Sequence, residues 1–274
     1  MRAVYGVLTK VLSNHVRVGA VTQSVFLLIA SGVLSLLAIP FSGFSLAGIS
    51  EVWPIVLLTL IASAIGNIAY FKGIAKLESG TTQIAFSSIL IWGLLMTHVF
   101  LGTTLSWVQS IGVVLLLFAI LLAQYQKRAI KLQPGILLIL LSAACFAGFQ
   151  VASARMAQEF TLGTYLFVIY TGSALLIALP YLGQIRRDLA QARGHLSPLA
   201  KTAAVTGGAS VLNYIFAYFA FRTAPDPGIV VLLFTAQVVL AVILSVIFLK
   251  ERTNVALKVG AGVLAVVAAV LIKA

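Results

Sequence analysis

Groups that could do acid–base, nucleophilic or metal chemistry are few in this sequence and badly placed for it. The carboxylates are Glu51, Glu78, Glu159, Asp188, Asp226 and Glu251, each in a polar join or at the edge of an apolar run. They make no pair suited to general acid–base work, the His residues form no metal-spaced cluster, and no nucleophile–base motif occurs. Cys145, the single cysteine, sits in an apolar run, which excludes an internal disulfide and a thiolate metal site. No catalytic residue, metal ligand or cofactor motif is therefore assigned. The polar groups inside the apolar runs are neutral. The candidate binding residues are Asn67, Tyr70, Gln83, Ser87, Trp92, Gln150, Asn213, Tyr214 and Gln237. Amides and aromatics without fixed charge suit a neutral or zwitterionic solute with an apolar body.

The competing reading is that such groups only bond neighbouring helices, at about 0.6 kcal/mol each on average. For a serine or threonine that reading is the stronger one. An amide has more donors and acceptors to satisfy in hydrocarbon and is harder to place idly. Gln83, Ser87 and Leu90 or Ile91 recur at helical spacing and share a face. Trp92 is expected to reach the same cavity. Lys10 and Arg155 stand near the ends of apolar runs, either as gate residues or carboxylate anchors, or as cations snorkelling to headgroups. His98 is a possible coupling group near neutral pH, against a plain interfacial histidine.

The elements that must position these residues follow from composition. The 274 residues are 61% hydrophobic and 9% charged, with mean hydropathy +1.12. A soluble chain is about 25% charged. Only lipid can solvate so much apolar side chain, and the length suits roughly ten spans of about 20 residues. Apolar runs fall at 20–40, 53–75, 80–101, 104–125, 135–156, 162–182, 198–222, 227–249 and 254–273. They are continuous rather than alternating, so they read as helices. The net charge of +12 belongs to span-flanking Lys and Arg that face anionic headgroups, not to nucleic acid. Residues 1–13 are helix-compatible but too short to cross, with Lys10 interrupting any signal-peptide pattern.

The chain repeats. Shifted by 148 residues, Tyr70-Phe71 falls on Tyr218-Phe219, Phe100-Leu101 on Phe248-Leu249 and Gly112 on Gly260. A slightly different offset puts Lys10 on Arg155, and the stretch 135–145 is then left without a counterpart, so the first helix is expected to be truncated. Residues 1–128 form the first five-helix unit, 129–134 a connecting loop and 135–274 the second. Five is odd, so the copies must lie in opposite orientations, the arrangement of transporters whose halves rock against each other.

Three stretches carry a family likeness: Tyr5-Gly6-Val7-Leu8-Thr9-Lys10; Ala69-Tyr70-Phe71-Lys72-Gly73-Ile74-Ala75 leading into Gly80-Thr81-Thr82; and Phe248-Leu249-Lys250-Glu251-Arg252-Thr253 followed by Val259-Gly260-Ala261-Gly262. In this order they resemble the EamA-like members of the drug/metabolite transporter superfamily. The resemblance implies two inverted five-helix repeats, a cavity lined by the third, fourth, sixth, eighth and ninth helices, and more often export than import. The family often carries a proline within its fourth and ninth helices, where this chain has Ser88-Ile89-Leu90-Ile91 and Thr235-Ala236-Gln237-Val238; all seven prolines read as loop or span-end residues. Thr103 also stands where the second repeat has Glu251.

The expectation is an all-α integral membrane protein of the bacterial inner membrane, moving a small amino-acid-like metabolite by alternating access. Its partners are a small solute and the bilayer. Basic residues concentrate in the odd-numbered loops, which places those loops in the cytoplasm, although the family likeness would put both termini there instead. The stretch Gly183–Lys201 reads as the longest loop. A flippase for a lipid-linked substrate would show a lateral opening lined by polar residues. A non-transporting scaffold would scatter Asn67, Gln83, Asn213 and Gln237 toward different interfaces.

Overall fold

The computed structural model describes residues 2–15, 18–101, 106–126, 129–130, 133–223, 238–251 and 253–273. Among them the chain forms ten helical spans, because a backbone in lipid must satisfy its polar groups within itself. They are α1 Arg2–His15, α2 Ala20–Ser35 extended by a 3₁₀ turn and Ile39–Ser42, α3 Ile49–Ile74, and α4 in two pieces, Ser79–Phe86 and Ile89–Leu101. Then come α5 Trp107–Ala123, α6 Pro134–Glu159, α7 Leu162–Gln191, α8 Leu196–Thr223, α9 Val238–Phe248 and α10 Val255–Lys273. Seven of these spans are long and apolar enough to cross a membrane; α5 and α9 are shorter apolar helices. Tyr125–Gln126 pairs antiparallel with Ala129–Ile130 in the join between α5 and α6. Outward-facing Val33, Leu37, Leu58, Leu137, Leu179 and Ile247 are all more than half exposed, as lipid-facing residues are and water-facing ones rarely are.

The packing obeys an exchange of halves. α3 lies along α6 and α1 along α8; α2 meets α8 and α7 meets α3; α4 touches α6 and α9 touches α1. Each pair becomes the next when every helix is replaced by the one five places along. Three further contacts between the halves, α2 with α7, α4 with α9 and α5 with α10, map onto themselves. A two-fold relation between odd-numbered repeats inverts one relative to the other.

Small residues set the closest approaches. On α3, a Cβ on Gly73 would stand 2.6 Å from Ile139 Cδ1, and one on Gly66 would stand 3.0 Å from Phe146. Ser142 Oγ donates to the Gly66 carbonyl at 2.8 Å, tying α6 to α3. On the far seam, a Cβ on Gly112 would stand 2.8 Å from the Ile272 backbone nitrogen, and Ala261, Ala265, Ala268 and Ala269 are fully buried. With lipid outside there is no hydrophobic drive between helices, so such close backbone contact is what holds them.

Three expectations change. α4 breaks at Ser87-Ser88 rather than running straight. Ser87 Oγ donates back to the Ile84 carbonyl at 2.5 Å, and the amides of Ser88 and Leu90 bond three residues back. Serine back-bonding bends helices, so the bend forms without proline. The stretch Gly183–Lys201 is not a loop. α7 runs on to Gln191, kinked where Pro180 leaves Tyr181 outside helical geometry, and a 3₁₀ turn leads directly into α8. Pro54 and Pro180 also lie inside helices rather than at span ends.

Candidate functional site

Between the halves lies a cavity of about 70 Å³, several times the space one water needs. Asn67 and Tyr70 reach it from α3, Gln83 and Phe86 from α4, Phe146, Phe149 and Gln150 from α6, and Asn213 and Tyr214 from α8. Tyr5 of α1, Leu27 and Leu28 of α2, and Ile169 and Tyr170 of α7 complete the wall with Ser63, Ser210 and Ala217. Helices one, two and seven thus join the set that the family likeness implied.

The aromatic rings form one connected arc. Tyr70 meets Phe86 edge-on at 5.5 Å, Phe86 meets Phe146 at 5.8 Å, Phe146 meets Phe149 at 5.7 Å, Phe149 meets Tyr214 at 5.7 Å and Tyr214 meets Tyr170 at 5.6 Å. Edge-to-face contact holds each ring in place and leaves π-faces for a solute. The arc crosses both repeats, so relative movement of the halves must reshape it.

The amides are partly committed. Gln83 Nε2 donates to Tyr70 Oη at 2.9 Å. Asn67 Nδ2 donates to the Ser63 carbonyl at 2.8 Å, which turns its acceptor oxygen to other uses. Tyr170 Oη and Ser210 Oγ share a 2.9 Å hydrogen bond on the opposite wall. Gly6 explains how α1 fits over this group, since a Cβ there would stand 2.5 Å from Gln83 Nε2. Among the described residues, the lining of the pocket holds donors and acceptors but no formal charge.

Six of the nine sequence-derived candidates therefore converge: Asn67, Tyr70, Gln83, Gln150, Asn213 and Tyr214. Gln237 lies outside the described residues. Ser87 is spent on its own helix. Trp92 packs with the Ile89 and Leu116 cluster, away from the cavity. It stands nine residues from Gln83, half a turn round at 100° per residue, beyond the break in α4. The lining residues that sequence reasoning missed are mostly apolar or aromatic: Tyr5, Phe86, Phe146, Phe149 and Tyr170. The spacing of Phe146, Phe149 and Gln150 on one helical face was their one available signal.

Lys10 is buried, and its Nζ donates to the carbonyls of Ile74 and Leu77, both at 2.7 Å. It caps the C-terminal end of α3, where a helix gathers partial negative charge. Arg155 is exposed and pairs along its own helix with Glu159 at 2.9 Å. The two repeat-related cations thus do different work, and neither lines the cavity. His98 is exposed on the second piece of α4.

Comparison with curated proteins finds no match. A solved crystal structure of another protein superposes with a TM-score of 0.54 at 16% identity, over 99% of this chain and 98% of that one; at that identity the likeness is one of fold. The model of the EamA-like transporter family matches residues 1–125 and again residues 133–273. With two copies of that pattern covering nearly its whole length, the chain belongs to the EamA-like transporter family and so to the membrane transporters of the drug/metabolite type.

Proposed function

We propose that the chain moves a small neutral or zwitterionic, amino-acid-like metabolite by alternating access, as an exporter of a bacterial inner membrane. One observation carries this reading: amides from both repeats, Asn67 and Gln83 with Gln150 and Asn213, meet on one ring-lined, uncharged cavity. The amides suit the polar end of such a solute and the arc its apolar body. Three of the four amides that a scaffold would scatter share this cavity. Orientation rests on charge: Lys72, Lys76, Arg186, Arg187, Arg193, Lys201 and Lys250 are exposed in or beside odd-numbered joins, which supports a cytoplasmic location for them. No catalysis is assigned.

A flippase is the weaker reading. The lateral groove between α2 and α7, lined by Ile29, Val33, Leu36, Phe167, Leu175 and their neighbours, is apolar apart from Thr171. A headgroup crossing there would have almost nothing to bond.

The test is a thermal-shift screen of purified protein against amino acids, nucleosides, polyamines and quaternary amines, followed by counterflow in liposomes. A solute at a hundred times its Kd stabilises the protein by about 2.7 kcal/mol. A shift from one class, abolished in Asn213→Ala, is the expected result. A folded protein that responds to no class, and supports no counterflow, overturns the reading.

A further inference from the structure

Three of the carboxylates that sequence reading set aside as loop or span-end residues, Glu78, Asp188 and Glu251, make charged contacts between the two repeats, all at the odd-loop end of the molecule. Glu251, in the join before α10, accepts from the Ser79 amide at 2.7 Å and the Gly80 amide at 3.2 Å. It thus sits across the N-terminus of α4, in the other repeat. Beside it, Lys258 of α10 is buried and forms an ion pair with Glu78, the residue that opens α4. Asp188, near the end of α7, accepts from the Gly19 amide at 3.0 Å and from Thr22 Oγ1 at 2.5 Å, which closes the N-terminus of α2. Each contact joins a second-repeat carboxylate or cation to a first-repeat helix start, at joins one, three, seven and nine.

At the opposite end, the repeat-equivalent of the Asp188 contact has different chemistry, while the counterparts of the Glu251 and Glu78 contacts lie outside the described residues. The end of α2 meets the start of α7, as the end of α7 meets the start of α2. There Ser42 Oγ accepts from the Gly163 amide at 2.9 Å, Thr161 Oγ1 donates to the Gly43 carbonyl at 3.0 Å, and Thr164 Oγ1 donates to the Ser45 carbonyl at 3.1 Å. These bonds are neutral. Charge-assisted hydrogen bonds are roughly twice as strong, and a carboxylate at a helix N-terminus also meets the positive end of the macrodipole.

We infer that Glu251, Asp188 and the Lys258–Glu78 pair form a latch across the repeats, which keeps the odd-loop end shut at rest and must release before that end opens. The inference rests on the alternating-access reading above. It assigns gating residues that touch no solute.

The experiment measures distance between spin labels in a Cys145→Ala background. One pair is placed at Lys76 and Thr253 on the latched end, the other at Ala47 and Gln158 on the opposite end, all exposed. In Glu251→Gln and in Asp188→Asn the Lys76–Thr253 distribution gains a longer component, its population up on the order of tenfold for each lost charged bond. The Ala47–Gln158 distribution does not gain one. Ser42→Ala leaves the Lys76–Thr253 pair unchanged. Glu78→Lys or Lys258→Glu alone broadens the latched-end distribution, and the two together restore it. Unchanged distances in Glu251→Gln and Asp188→Asn, in protein that still performs counterflow, overturn the latch and leave transport standing. Lengthened distances in the variants, with a parent protein that moves no solute, uphold the closure between the repeats and sink the transport reading.

Discussion

The end of α7 on the start of α2 and the end of α2 on the start of α7 are equivalent joins, yet they are closed by unlike chemistry. At the odd-loop end, Asp188 and Glu251 sit on helix N-termini and Lys258 is buried against Glu78. At the other end, serine and threonine hydroxyls make the matching bonds. Duplication supplies the geometry of both ends, and later divergence of a few side chains decides how tightly each is held. The same lesson holds on the α5–α10 seam. Gly112 and Gly260 are equivalent in the repeat, but Gly112 is pressed against the backbone of α10 whereas, among the described residues, nothing lies within 4 Å of a Cβ on Gly260.

Several substitutions probe that asymmetry. The largest effect is expected from Lys258→Ala, which strands Glu78 without its partner. It should cost about 3 kcal/mol, the low end for a broken buried pair because Glu78 keeps a third of its surface exposed. Thermal unfolding in detergent measures this, and Glu78→Gln with Lys258→Met together should recover most of the loss. Next is Gly112→Ala. Its Cβ meets the backbone at Ile272 and Ala268, which cannot rotate away, so about 2 kcal/mol should be lost. A melting temperature equal to that of the parent would show that the seam is looser than described. Asp188→Ala should then cost about 2 kcal/mol and its counterpart Ser42→Ala about 1 kcal/mol, reflecting charged against neutral caps; equal losses would erase the contrast between the ends. Smallest is Gly260→Ala, expected to be neutral or to stabilise by up to about 1 kcal/mol, because open space and a helical backbone favour alanine. A sizeable loss there would mean that both glycines are pressed alike.

The binding pocket offers a separate check. Gly6→Ala puts a methyl 2.5 Å from Gln83 Nε2 and should dislodge that amide from Tyr70. Counterflow should fall about tenfold, as expected for a misplaced positioning group, while thermal stability changes little.

Much of the fold could be read directly. Apolar runs long enough to cross lipid mark helices with little ambiguity, and the family likeness set their order. The amides could be read for the same reason, since a polar group stands out against an apolar run. Phe146, Phe149 and Tyr170 could not, because an aromatic in an apolar run has no contrast with its neighbours. Ser87 stood between two readings, with bonding to its own helix the stronger for a serine, and choosing between that and a solute needs coordinates. Lys10 read as a gate or a snorkelling cation, and its role as a cap depends on where α3 ends in space. Asp188 and Glu251 read as span-end carboxylates, and that position hid that they face helix starts from the other repeat.

The sequence by itself determined the solvent, the helical class and the duplication, because each follows from local composition and from periods along the chain. Only the tertiary structure decided which amides share a cavity, that six rings join into one arc, and which end carries the charged closure. Those relations join different helices and, for the charged closure, residues 169 and 172 positions apart; no local pattern encodes a distance across packed helices.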